Sequence, residues 1–202
     1  FRGNERHYHK IVRTAYRKFV MLVIVSTIPT GVIGILFKDT VELAGTMLIV
    51  PGICLLITSV FLVIADYADE GTKRPREASY VNAGLIGVAQ GIATMPGLSR
   101  SGTTITACLL CGFEKKFAVK YSFIMSIPAV LGAVVLELKD VAKAPLQASA
   151  VPACAVATVI SAIVGYLSIC IMMRLIQGKK YKIFAVYCAI VGLITVGYGI
   201  FR

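Results

Sequence analysis

Apolar segments about twenty residues long constrain the fold of this chain more than any other feature. Five of them are predicted to be membrane-spanning helices, at about residues 19–37, 43–65, 117–136, 151–173 and 183–201. About 20 apolar residues in a helix cross the roughly 30 Å hydrocarbon core of a bilayer. The hydrophobic fraction of 57% exceeds the 45–50% that is usual in soluble domains. The sequence therefore predicts an all-α polytopic membrane protein, with residues 1–202 forming a single membrane domain.

A sixth apolar segment, about residues 81–113, is too long for one span and is interrupted near its middle. The interruption reads Pro96-Gly97-Leu98-Ser99-Arg100-Ser101-Gly102-Thr103-Thr104. Proline cannot continue a helix, and glycine permits backbone shapes that are closed to other residues. The two flanking apolar arms have about 10–13 residues each, which is short for a span. We therefore predict a re-entrant helix hairpin within the transmembrane bundle, with Arg100 near its tip.

The distribution of basic residues favours this hairpin. If residues 81–113 return to the face that they enter, one face holds 16 of the 21 Lys and Arg residues and the opposite face holds four. If the segment crosses instead, the counts are 11 and 9. The positive-inside rule selects the first arrangement, in which residues 1–18 form a cytoplasmic juxtamembrane segment. The same rule accounts for the net charge of +11, so nucleic-acid binding is not expected.

The residues at the predicted tip have the chemistry of an oxyanion site. An arginine inside a membrane costs on the order of 3 kcal/mol or more and needs a partner. The apolar spans offer almost no carboxylate, so a bound anion such as phosphate is the favoured partner. Ser99 or Ser101 can cap the helix that resumes near Gly102, and its first amides then point at the tip. In the alternative, Arg100 pairs with a distant carboxylate or with carbonyl groups and only stabilises the break.

The cysteines do not indicate a metal centre or a disulfide framework. All six lie in apolar segments, and Cys108 and Cys111 form a C-x-x-C pair without a second pair or a ligand cluster. No metal ligand is therefore predicted in this chain.

The stretch from Gln90 to Thr104 resembles the undecaprenyl-diphosphate phosphatase family, the BacA-type bacitracin-resistance proteins. It reads Gln90-Gly91-Ile92-Ala93-Thr94-Met95-Pro96-Gly97-Leu98-Ser99-Arg100-Ser101-Gly102-Thr103-Thr104 and matches the family signature P-G-x-S-R-S-G-x-T. The resemblance covers essentially all 202 residues. It implies removal of the terminal phosphate of undecaprenyl diphosphate, which recycles the carrier lipid for peptidoglycan synthesis in the bacterial plasma membrane. It also implies a divalent cation, Mg²⁺ or Ca²⁺, and two inverted repeats that each contribute a re-entrant hairpin.

The resemblance assigns roles to the residues at the tip. Arg100 and Ser99 are expected to be catalytic, with Arg100 clamping the diphosphate and stabilising charge in the transition state. The expected substrate-binding residues are Ser101, Gly102, Thr103, Thr104, Gly97 and Gln90. Among these, the backbone at the two glycines shapes the phosphate cradle.

The chain departs from the family in one respect. The pattern E-G-x-x-E-x-x-P-x-S-S-x-G-H of the other hairpin does not occur here, and we expect it upstream of Phe1. The metal ligands would then lie in that N-terminal part, this chain would hold about one and a half of the two repeats, and it would be inactive alone. The expected partners are a polyprenyl diphosphate lipid, membrane lipids, and a second copy or a complementary N-terminal fragment. A transporter or flippase for an anion or anionic polyprenyl lipid is the main alternative, and a structural membrane subunit is a third.

Overall fold

The computed structural model describes residues 2–68, 71–74, 76–141, 151–177 and 181–201. Within these residues the protein is helical, with no strand and one isolated bridge between Lys73 and Phe113. The predicted all-α class is therefore confirmed. The helices are α1 Arg2–Leu36, α2 Lys38–Thr46, α3 Ile49–Tyr67, α4 Tyr80–Ile92, α5 Arg100–Leu110, α6 Lys115–Val141, α7 Val151–Gln177 and α8 Tyr181–Phe201.

Five of these helices contain a segment long and apolar enough to cross a membrane. The segments are Tyr16–Leu36, Ile49–Tyr67, Lys115–Leu138, Val151–Ile171 and Tyr181–Phe201. They lie close to the five segments expected from hydropathy. The second differs most, because its predicted start at residue 43 falls in the separate helix α2, and the chain is extended at Met47 before α3 begins.

The interrupted segment forms two short helices that contact each other, α4 and α5, joined by residues 93–99. With 13 and 11 residues, they are about 20 Å and 16 Å long, and neither reaches across a bilayer core of roughly 30 Å. The predicted hairpin is thus present as a pair of short helices. Its entry into the bilayer from the cytoplasmic face stays a prediction.

Helix α4 packs closely against α1 through two glycines. A Cβ atom added at Gly87 would overlap the backbone oxygen of Ser26, and one at Gly91 would lie 2.8 Å from Ile33 side-chain atoms. The Thr30 hydroxyl donates to the Gly87 carbonyl at 2.8 Å. Small residues that let helix backbones approach, together with interhelical hydrogen bonds, are the usual means of packing in membranes.

Helix α6 connects the hairpin to α1. The Tyr121 hydroxyl donates to the Leu22 carbonyl at 2.9 Å and is hydrogen-bonded to the Ser26 hydroxyl. At the next residue of α6, the Ser122 hydroxyl is hydrogen-bonded to Thr104 of α5. Helix α6 therefore contacts both α1 and the second arm of the hairpin.

Helix α3 packs along α8 and also contacts α5. The Ser59 hydroxyl donates to the Ala185 carbonyl at 2.8 Å, and Gly52 faces Gly192 where the two backbones come close.

In α7, no residue of the segment Val151–Ile171 is buried. The six cysteines are free, as expected, and Cys154 on α7 is exposed.

We expect Gly87→Ala to destabilise the protein, because the added methyl group must displace the α1 backbone or move the hairpin. Overpacking of this kind costs about 1–3 kcal/mol. Gly84→Ala is the matched control, since it lies on the same helix with nothing within 4 Å of its Cβ position. Thermal unfolding in detergent should show a lower midpoint for Gly87→Ala than for Gly84→Ala. Equal midpoints would contradict the close packing of α4 on α1.

The predicted re-entrant path places Lys116 on the cytoplasmic face and Lys38 on the opposite face. A membrane-impermeant maleimide added to intact cells should therefore label Lys38→Cys and leave Lys116→Cys unlabelled until the cells are opened. Labelling of both variants in intact cells would mean that residues 81–113 cross the membrane.

Candidate functional site

The turn between the two short helices is compact, and some of its backbone N–H and carbonyl groups are hydrogen-bonded within the turn itself. The Leu98 amide donates to the Met95 carbonyl at 3.1 Å, and Pro96 has no N–H group. Gly97 has a φ of 88°, a left-handed conformation that favours glycine. A Cβ atom at Gly97 would also overlap the carbonyl oxygen of Pro51 in α3. Glycine is thus required here for its backbone conformation and for close contact with α3.

Ser99 is the N-cap of α5. Its hydroxyl accepts a hydrogen bond from the Gly102 amide at 3.1 Å, and its carbonyl accepts one from the Thr103 amide at 2.9 Å. The sequence left Ser99 and Ser101 open as caps and expected the helix to resume near Gly102. The structure selects Ser99, whose extended backbone suits an N-cap, and α5 therefore begins two residues earlier, at Arg100.

Arg100 is the first residue of α5 and is half-buried. Among the described residues, its side chain has no hydrogen-bond or ion-pair partner. The amides of Arg100 and Ser101 belong to the first helical turn, where the helix itself offers no acceptor. Arg100 therefore carries its positive charge on the first residue of the helix, at the end where the helix dipole is also positive, and this combination suits an anion.

Two further polar atoms near this turn are buried and unpaired. The Thr103 hydroxyl and the Oε1 atom of Gln90 have no hydrogen-bond partner in the described structure. A buried polar group without a partner costs about 1–3 kcal/mol. Both residues were predicted from the sequence to bind substrate, and both keep a free hydrogen-bonding group.

Other predicted site residues are engaged with the protein. The Thr104 hydroxyl is fully buried, donates to the Arg100 carbonyl at 2.8 Å, and is hydrogen-bonded to Ser122. The Gln90 Nε2 atom donates to the Met125 carbonyl at 3.3 Å, which ties α4 to α6. These bonds stabilise the first turn of α5 and the first arm of the hairpin. Direct contact of Thr104 with a ligand stays a prediction, as does that of Ser101, which is half-buried.

Sequence reasoning missed Thr58, which lies in the middle of α3. Its hydroxyl accepts from the Ser99 amide at 2.9 Å and donates to the Gly97 carbonyl at 3.2 Å. A threonine in the middle of a largely apolar span is the signal that marks it, but the sequence does not show which helix it faces. Ser122, the partner of Thr104, was missed for the same reason.

The described residues do not by themselves supply a set of ligands for a divalent cation. Within them, no group of three or more His, Cys, Asp or Glu side chains could hold a metal ion.

The fold and the tip define a class, an α-helical polytopic membrane protein with an interrupted hairpin. The arginine at the tip of this hairpin has no partner among the residues that the structure describes. The chain belongs to the bacitracin resistance protein BacA family, whose sequence pattern matches residues 2–194. The predicted family resemblance is thereby confirmed.

Relatives with curated names agree with this assignment. A Methanosphaera stadtmanae protein named undecaprenyl-diphosphatase is 40% identical over 194 residues, which are 95% of this chain and 67% of that protein. A Methanobrevibacter smithii protein of the same name is 42% identical over 182 residues, 89% of this chain and 65% of that protein. A Halothermothrix orenii protein, also so named, is 39% identical over 180 residues, 89% of this chain and 70% of that protein. The chain spans about two thirds of the length of these relatives.

We expect Ser99→Ala to lower stability by about 1 kcal/mol, because the first turn of α5 loses its cap. Ser101→Ala is the matched control, since Ser101 lies in the same turn and is not the cap. Ser99→Asp should keep the cap and hence the unfolding midpoint, while its carboxylate repels an anion at the tip. Thermal unfolding and inorganic diphosphate binding, measured in the same detergent, separate the two effects. Equal midpoints for Ser99→Ala and Ser101→Ala would contradict the capping role.

Proposed function

We propose that this chain provides the diphosphate-binding part of an undecaprenyl-diphosphate phosphatase. The reaction releases phosphate and undecaprenyl phosphate, which returns the carrier lipid to cell-wall synthesis and confers resistance to bacitracin. The observation that carries the proposal is the half-buried Arg100 at the start of α5, which has no partner among the described residues. The name that the three relatives share supports hydrolysis rather than the transporter alternative.

Each group at the tip has a use in holding a diphosphate. The planar guanidinium of Arg100 can donate two parallel hydrogen bonds to phosphate oxygens. The amides of Arg100 and Ser101 supply further donors along the helix axis. Because the Ser99 hydroxyl accepts from Gly102, its own proton is left to donate to the ligand. The Thr103 hydroxyl is a further unpaired group.

The same groups stabilise the charge that develops during hydrolysis. In hydrolysis the oxygen of a water molecule ends on the terminal phosphorus, and the bond from that phosphorus to the bridging oxygen breaks. The electron pair of the broken bond stays on the bridging oxygen, so negative charge develops on the departing undecaprenyl phosphate. Arg100 would neutralise part of that charge, and donors fixed by the first turn of a helix need little reorganisation as the charge forms. Ser99 and Arg100 are therefore the residues to which we assign a catalytic role.

The remaining chemistry is assigned to groups outside the described residues. The resemblance predicts a divalent cation, Mg²⁺ or Ca²⁺, which would supply charge neutralisation when it is bound. Its expected ligands belong to the E-G-x-x-E-x-x-P-x-S-S-x-G-H pattern of the other hairpin. We therefore propose that this chain alone binds a diphosphate and does not hydrolyse it.

The helices that can span a membrane make this a multi-pass membrane protein. We propose the plasma membrane as its location, and the inner membrane of a bacterium is the specific expectation from the resemblance. The polyprenyl tail would lie among the apolar helix surfaces. A second copy of the chain, or a complementary N-terminal fragment, stays a predicted partner.

We expect Arg100→Ala to weaken the binding of a polyprenyl diphosphate by about tenfold to a hundredfold, since hydrogen bonds to charged groups contribute about 1.5–3 kcal/mol. Arg100→Lys should recover only part of the affinity, because it keeps the charge but loses the paired donors. Titration calorimetry in detergent measures both variants. The control is Lys116→Ala, which removes an exposed positive charge from the start of α6. Wild-type affinity in Arg100→Ala would remove the basis of the proposal.

Phosphate release tests hydrolysis itself. The chain is assayed alone and joined to a segment that supplies the acidic, serine and histidine pattern, with Mg²⁺ and with a chelator. We expect release only from the joined protein with Mg²⁺, and its loss in Arg100→Ala. Tight binding without release by the joined protein would favour the transporter alternative.

A further inference from the structure

We infer that Thr58 is a positioning residue that holds the hairpin tip in the shape that binds the anion. This inference rests on the proposed function, because it concerns the same site. Thr58 lies on α3, outside the signature that carries the family resemblance, and its side chain is 1% exposed. Its hydroxyl contacts backbone atoms of the tip. Thr58 therefore acts by positioning Ser99 and Arg100, and it does not contact the ligand itself.

The hydroxyl of Thr58 bridges two backbone groups of the turn. It accepts the Ser99 N–H at 2.9 Å and donates its proton to the Gly97 carbonyl at 3.2 Å. These groups lie on either side of Leu98, in the segment where the helix ladder is broken. In the interior of a membrane no bulk water can replace such bonds. One side chain therefore satisfies a donor and an acceptor that the interruption leaves without helical partners.

This bridge determines where α5 begins. The backbone of Ser99 must stay extended for its hydroxyl to cap the Gly102 amide, and the structure has it at φ −66° and ψ 110°. Thr58 fixes the amide of that same residue. Because Arg100 follows directly, any rotation at Ser99 would reorient the guanidinium and the first free amides of the helix. Anion affinity should consequently depend on a hydroxyl that is not itself a ligand.

A second contact, between Gly97 and Pro51, also packs the tip against α3. Gly97 approaches the Pro51 carbonyl so closely that a Cβ atom would overlap it. Pro51 and Thr58 lie about two helical turns apart on α3. The turn is thus held at two levels, and only the Thr58 level has hydrogen bonds to the residues that flank Leu98.

Thr106 offers a matched control. It is also a buried threonine between α3 and α5, 2% exposed, and its hydroxyl donates to the Phe61 carbonyl at 3.0 Å. It lies inside α5, where its hydroxyl also donates to the Gly102 carbonyl at 2.8 Å, and it makes no hydrogen bond to residues 93–99 in the described structure. Replacing either threonine by valine keeps the shape of the side chain and removes a hydroxyl that joins α3 to the hairpin. Only the Thr58 change removes hydrogen bonds to the connecting residues 93–99, at Gly97 and Ser99.

The experiment compares Thr58→Val, Thr58→Ser and Thr106→Val in the full chain in detergent. Hydrogen exchange at the Ser99 amide and the affinity for farnesyl diphosphate are measured for each. We expect Thr58→Val to accelerate exchange at Ser99 by about tenfold and to weaken binding by about tenfold, because a buried hydrogen bond is lost. Thr58→Ser should restore both, since it keeps the hydroxyl. Thr106→Val should lower the unfolding midpoint without changing the affinity.

The outcomes separate this inference from the proposed function. If Arg100→Ala abolishes binding while Thr58→Val binds as the wild type does, the role of Thr58 is overturned and the anion site stands. If Thr58→Ser fails to rescue, or if Thr106→Val weakens binding equally, the effect is general destabilisation and the inference is again wrong. If the wild-type chain binds no diphosphate, or Arg100→Ala binds normally, the proposed function fails and this inference fails with it. Unchanged exchange at Ser99 in Thr58→Val would contradict the bridge itself.

Discussion

The structure depends on one constraint, which is that a helix broken inside an apolar environment must find partners for the backbone groups that the break releases. Residues 93–99 meet it in two ways. The turn makes some hydrogen bonds within itself, such as Leu98 to Met95, and Thr58 and the Ser99 side chain supply others. Each added partner also removes a degree of freedom from the turn. The same bonds that make the break tolerable therefore give Arg100 a defined position.

The surrounding helices follow the same principle, in which a side chain on one helix bonds to the backbone of the next. Thr30 bonds to Gly87, Thr106 to Phe61, Ser59 to Ala185, and Gln90 to Met125. Glycines at Gly87, Gly91 and Gly52 bring the backbones within reach of these short side chains. In lipid, such contacts substitute for the hydrophobic effect, which gives no preference for helix over lipid neighbours.

Local chemistry made several features predictable from the sequence. Span lengths follow from apolar runs, and the hairpin follows from Pro96 and two glycines. The arginine among hydroxyls and glycines led to the anion site, which stays a prediction. Relations between distant segments were not predictable. The apolar run from residue 43 gives no sign that the chain turns at Met47, so α2 was merged with α3. Thr58 and Ser122 were missed, and the burial of Thr104 was not foreseen, because a pattern along one segment does not reveal which neighbour a hydroxyl meets.

The bridge from Thr58 also sets the depth of the site. Helix α3 has 19 residues and Thr58 is the tenth, so the tip meets α3 halfway along a span about 28 Å long. A charged headgroup that reaches Arg100 has to leave the headgroup layer and move about 14 Å toward the bilayer centre. Moving a charged headgroup to this depth costs free energy unless water or polar side chains of the protein line its path. Because a site at this level is about equally far from the two ends of α3, distance alone favours neither membrane surface as the side from which a headgroup enters.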